Sequence, residues 1–144
     1  MTSIKKTLAV ALGLAAIPSL AFAQGNLAAP PATNLELAIT GANGAVSADT
    51  FNLTTGTYYR LTITSDGGAE LLWMSPDLLN NAWINQIVVA GVEIKLWGDT
   101  VKGIEIGEGG PAEVQITFVP VRPGEYAFYF DGEDDIPGGT FIVE

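Results

Sequence analysis

The chain has 144 residues, 16 acidic side chains against six basic ones, a formal net charge of −10, and neither a cysteine nor a histidine. A field of that sign repels phosphate backbones and anionic lipid surfaces, which argues against nucleic-acid and membrane-surface binding. The missing thiols and imidazoles exclude disulfides, thiolate nucleophiles and the commonest general bases.

Residues 1–23 read as a secretory signal. Lys5 and Lys6 supply a positive start, and the apolar run from Thr7 to Ile17 is shorter than the ~20 residues a membrane-spanning helix needs. Pro18 and then Ala21, Phe22 and Ala23 give a helix breaker and a small-x-small cleavage signal, so cleavage is expected before Gln24. Loss of both lysines makes the mature chain still more acidic, leaving only Arg60, Lys95, Lys102 and Arg122 as cations. The expected location is periplasmic or secreted, with no membrane association after cleavage. By length the remainder is a single domain.

Residues 24–33, QGNLAAPPAT, are rich in small residues and carry Pro30 and Pro31, which resist helix and lack ladder donors. They read as a flexible leader to a domain spanning 34–144. In that domain period-two alternation dominates, with turn residues at short intervals, as in an all-β sandwich. The first strand is expected from Asn34 to Thr40, with Leu35, Leu37 and Ile39 on one face, and Gly41 to Gly44 turn the chain. A strand through Phe51 and Leu53 and another from Tyr58 to Thr64 follow, ended by Ser65 to Gly68.

The apolar stretch Glu70 to Met74 leads into Ser75-Pro76-Asp77. Serine as N-cap and proline at the first helical position predict one short helix through Leu79. Strands are then expected at Ile84 to Val89, Val92 to Trp97 and Val101 to Ile106, with turns at Ala90-Gly91 and Gly107 to Pro111. Glu113 to Val119 alternates cleanly: Val114, Ile116 and Phe118 should face inward and Glu113, Gln115 and Thr117 outward. A final hairpin pairs Glu125 to Phe130 with Thr140 to Val143.

The stretch from Arg122 to Glu144, RPGEYAFYFDGEDDIPGGTFIVE, combines a Pro-Gly-Glu-Tyr corner, a Phe-Tyr strand, a loop, a glycine and a closing strand. In this it resembles the last hairpin of plastocyanin- and azurin-type cupredoxins, and the element order from about Asn34 onward is similar too. The resemblance implies a cupredoxin-like Greek-key β-sandwich of about eight strands with one short helix. An immunoglobulin-like sandwich is the alternative, though the Cys-Trp-Cys core of that fold is absent.

The resemblance also implies where copper ligands would fall, and none of the required residue types stands there. The thiolate position is Phe130, the second imidazole falls at about Glu133, the thioether near Ile136 or Pro137, and the first imidazole near Glu70. Without sulfur and imidazole, copper electron transfer has no chemical basis. Met74 is the only thioether after the signal and reads as core filler.

The former ligand loop instead carries Asp131, Glu133, Asp134 and Asp135, hard oxygen donors of the kind that hold Ca²⁺ or ferric iron. Asp131, Glu133 and Asp135 have the spacing of an EF-hand start, but Ile136 and Ile142 stand where that loop needs Gly and Glu. With Glu70 folded beside them, these carboxylates are the candidate metal ligands. A hard metal ion (Ca or Fe) and a degenerate copper site both stay open as cofactors. Equally, the loop reads as a solvated acidic tip.

Of Trp73, Trp83 and Trp97, large aromatics that usually fill a sandwich core, Trp83 is the one most suited to a partner- or sugar-facing patch, since it follows the polar Asn80 and Asn81. No catalytic constellation or phosphate loop is present. The reading is therefore an exported, non-enzymatic binding module without a type 1 copper site, whose partner is a metal ion or another periplasmic protein. The alternative is a structural or protein-interaction domain in the periplasm with no metal.

Overall fold

The computed structural model describes residues 26–89, 92–94, 103–106 and 110–144. The expected signal, Lys95, Trp97, Lys102 and the turns at 90–91 and 107–109 lie outside these residues. The described elements are β1 (Thr33–Thr40), β2 (Ala45–Val46), β3 (Thr50–Leu53), β4 (Tyr59–Ser65), β5 (Leu71–Met74), α1 (Pro76–Asn80), β6 (Ala82–Val89), β7 (Val92–Ile94), β8 (Gly103–Ile106), β9 (Ala112–Pro120), β10 (Gly124–Asp131) and β11 (Gly139–Val143).

They form two sheets, one ordered β2-β1-β4-β9-β6-β7 and the other β3-β11-β10-β5-β8. The β1/β4 and β3/β11 pairs are parallel, and the other ladders antiparallel. This is the all-β sandwich expected from the alternation. More strands form than the eight expected, because short pairings such as Ile39↔Val46 and Thr40↔Ala45 leave no periodic signal in two residues.

Alternation puts one apolar set from each sheet into a shared core. Leu37, Ile39, Leu61, Ile63, Val114, Ile116 and Phe118 come from the six-stranded sheet. Facing them, every described strand of the five-stranded sheet contributes, with an aromatic row running from Phe51 through Phe141 and Phe128 to Trp73. The ring centroids of Phe51 and Phe141 lie 5.1 Å apart, those of Phe128 and Phe141 5.4 Å, and those of Trp73 and Phe128 6.5 Å, within the range of favourable aromatic pairs. The chain changes sheet between β9 and β10 through Val121 to Pro123, where the Tyr126 hydroxyl donates to the Arg122 carbonyl at 3.1 Å.

Two local expectations are corrected, and a third holds with a difference in burial. Ser75 precedes α1 but makes no side-chain cap; its hydroxyl donates to the Ala127 carbonyl of β10 at 2.9 Å. A buried hydroxyl takes the strongest acceptor in reach, and here that lies across the sheet. Thr117 does face outward as expected, between the core residues Ile116 and Phe118, yet it is only 3 % exposed, because Asn85 of β6 reaches over it and donates to its hydroxyl at 3.3 Å. Met74 is not core filler: alternation on β5 sends Leu71 and Trp73 inward and Met74 to the outer face.

Candidate functional site

The acidic residues meet through sheet pairing rather than through sequence proximity. On β5, Leu72 is paired with Asp131 of β10 on one side and Glu105 of β8 on the other. Directly paired residues point to the same face of a sheet, so two exposed carboxylates bracket Leu72. Glu70 stands just before β5. After β10, Gly132 adopts φ +82°, a left-handed conformation that L side chains rarely take. The Glu133 N–H then donates to the Phe130 carbonyl at 3.3 Å, and the Ile136 N–H to the Glu133 carbonyl at 3.1 Å. These two turns fold Glu133 back toward Glu70.

The outcome is an open concavity of about 540 Å³ lined by Glu70, Leu71, Leu72, Glu105, Asp131 and Glu133. A smaller one of about 230 Å³ shares Glu70 and Glu133 and adds Ala42, Gly68 and Ile136. Three of the five expected residues, Glu70, Asp131 and Glu133, are thus brought together. Asp134 and Asp135 are exposed in the same loop and line neither concavity. Glu105 was missed: alternation with Ile104 and Ile106 marks it as outward-facing, but nothing local says which strand lies beside it.

Asp66 shapes the wall of the smaller concavity. Its carboxylate accepts from the Gly41 N–H at 2.8 Å and the Gly68 N–H at 2.9 Å, clamping the turn after β1 to the turn after β4. The Gly41 bond first, then the Gly68 bond, hold this carboxyl below the usual carboxylate range.

The residues at the copper positions do not fit a type 1 centre. Phe130 is 4 % exposed within the core, so a phenyl ring fills the space a thiolate would need, and Ile136 packs against the same core. Nor, among the described residues, do three His, Cys, Asp or Glu side chains converge as ligands of one ion. The carboxylates surround an open surface.

No protein-family model matches the chain, and no curated protein matches it. Solved structures do. The fold is similar to a multicopper oxidase from Campylobacter jejuni, at a TM-score of 0.55 and 9 % identity over 79 % of this chain and 30 % of that one. It is also similar to a laccase from Pediococcus acidilactici, at 0.56 and 10 % over 97 % and 32 %. The chain adopts a cupredoxin fold. It spans about a third of the length of those two oxidases, and a looser likeness, TM-score 0.48 at 20 % identity over 80 % of this chain and 99 % of the other, is to auracyanin from Roseiflexus castenholzii. This cupredoxin-like domain lacks the thiolate and imidazole ligands of a type 1 site, since the whole sequence has no Cys and no His.

Of the other sequence candidates, Trp73 lies in the core at 0 % exposure, as a sandwich aromatic should. Its Nε1 is buried with no partner among the described residues. Trp83, by contrast, is 39 % exposed. Among the described residues, no helix is long and apolar enough to cross a membrane.

Proposed function

We propose that this is an exported, non-enzymatic cupredoxin-like binding module that docks a cationic region of another exported protein through its acidic end. The observation that carries this reading is the bracket of Glu70, Glu105, Asp131 and Glu133 around one open concavity of about 540 Å³. Carboxylates spread over such a surface suit several lysine or arginine side chains, and the acidic charge of the whole chain adds long-range attraction for a basic partner. The metal-ion reading draws on the same hard oxygen donors, and the experiment separates the two.

Immobilised mature protein is exposed to an extract of exported proteins and eluted with salt. A basic protein should be retained by the wild type and by Asp134→Asn/Asp135→Asn, and lost from Glu105→Gln/Asp131→Asn, which removes the same formal charge from the concavity itself. Equal loss in both double variants would reduce the effect to net charge and sink the docking reading. Titration of the metal-free protein with Ca²⁺, Fe³⁺ and Cu²⁺ should be silent. Micromolar binding abolished by Glu133→Gln would replace docking by metal handling.

A further inference from the structure

A second surface, independent of the acidic end, lies on the outer face of the six-stranded sheet. We infer that Trp83, Tyr58 and Asn85 form a binding surface there for a neutral oligosaccharide. The arrangement starts from a register shift. β6 pairs with β9 as Trp83↔Val119 and Ile84↔Phe118, and then as Gln86↔Thr117, so Asn85 is the extra residue of a β-bulge. Bulges re-aim side chains. Here the Asn85 Nδ2 reaches over β9 and donates to the Tyr58 hydroxyl at 3.0 Å and to the Thr117 hydroxyl at 3.3 Å.

Phe118 points into the core, so its neighbours Thr117 and Val119 face outward. Yet Thr117 is 3 % and Val119 0 % exposed. Trp83 stands on β6 in register with Val119, Tyr58 lies just before β4 on the other side, next to the Tyr59↔Phe118 pair, and the Asn85 bridge spans the gap. Trp83 is paired with the buried Val119 and is itself 39 % exposed, so an aromatic side chain rises to solvent beside an apolar position. Tyr58 is positioned twice over, by the Asn85 bond and by the bond from the Thr33 N–H to its carbonyl at 2.9 Å. It also walls a concavity of about 440 Å³ with Leu27, Pro31, Thr33 and Thr57.

Charge selects the ligand class. The next outward row reads Asn34, Arg60, Thr117 and Gln86 across four strands. Neither this row nor the aromatic one contains a carboxylate, in a chain with 16 of them. Aromatic planes flanked by amides, hydroxyls and one guanidinium offer apolar faces for sugar C–H groups, with donors and acceptors for sugar hydroxyls. A cationic ligand finds no counter-charge here, and an anionic one is repelled by the molecule as a whole. The surface is also remote from the acidic loop. β9 ends next to the start of β10, and Asp131 lies at the far end of β10, about 23 Å away at the usual strand rise.

The test titrates the mature chain calorimetrically with maltohexaose, cellohexaose and chitohexaose. At least one should bind, and both Trp83→Ala and Asn85→Ala should weaken it by about tenfold or more while each variant keeps a cooperative melt. Tyr129→Ala, which removes a comparably exposed aromatic from the other sheet, should leave the affinity unchanged. Silence with all three sugars up to their solubility limit overturns the inference. So does binding that survives in Trp83→Ala, or binding that falls equally in Tyr129→Ala.

Discussion

Replacing Phe128 by alanine tests whether the aromatic row is the structural centre of the five-stranded sheet. The ring is 1 % exposed and stands 6.1 Å from Phe51, 5.4 Å from Phe141 and 6.5 Å from Trp73 by centroid. Opposite it in the β10–β11 ladder is Gly139. A Cβ there would collide with the Phe128 ring and the Asp49 carbonyl, so that strand presents backbone alone beneath the ring. Truncation therefore leaves a void with no neighbouring side chain on that side to fill it. Buried Phe→Ala changes cost ~3–5 kcal/mol, more where collapse is poor, and we expect about 4 kcal/mol. Against a total stability of ~5–15 kcal/mol, that is a large fraction. In urea, with a slope of ~1–3 kcal/mol per molar, the midpoint should fall by about 2 M at unchanged slope. A loss below ~2 kcal/mol would refute the argument that the glycine floor prevents collapse.

Two further outcomes concern local ties. Ser75→Ala should lower stability by ~1 kcal/mol by removing the bond to Ala127, and Ser75→Asp, a good N-cap residue, should not restore it, as checked by urea midpoints. Recovery in the aspartate variant would show that Ser75 acts as a cap after all. Asp66 has a depressed folded-state pKa, so its contribution is fully present above the ordinary aspartate pKa of ~3.9 and is lost as pH falls through the lower folded value. Asp66→Ala should therefore be less stable than wild type at neutral pH, with the gap closing across that acidic window. A gap independent of pH would show that the clamp does not depend on the carboxylate charge.

The strands were legible wherever alternation ran for four residues or more. Leu35 to Ile39, Tyr59 to Ile63 and Val114 to Phe118 show their buried faces directly, because a period of two needs no knowledge of neighbours. Met74 was misread against a local signal, the alternation of β5; elsewhere a partner distant in sequence was responsible. Ser75 prefers the Ala127 carbonyl over a helix cap, and Thr117 is covered from β6. Phe130 at the would-be thiolate position was recognisable from residue type alone. Glu105 was not a candidate, because its place beside Leu72 depends on β8 joining the edge of the other sheet. The bulge at Asn85 was equally silent, since an extra residue in a strand is defined only against its partner.

Taken alone, the amino-acid order determines the all-β class, the strongly acidic charge and the absence of a copper thiolate or imidazole, since these depend on residue type and local period. Only the tertiary structure decided which carboxylates share a surface, that Asp134 and Asp135 stand apart from it, and that Trp83 is open while Trp73 is enclosed. Strand order and register set those outcomes, and they arise from pairings between segments as far apart as Leu72 and Asp131, which no local pattern records.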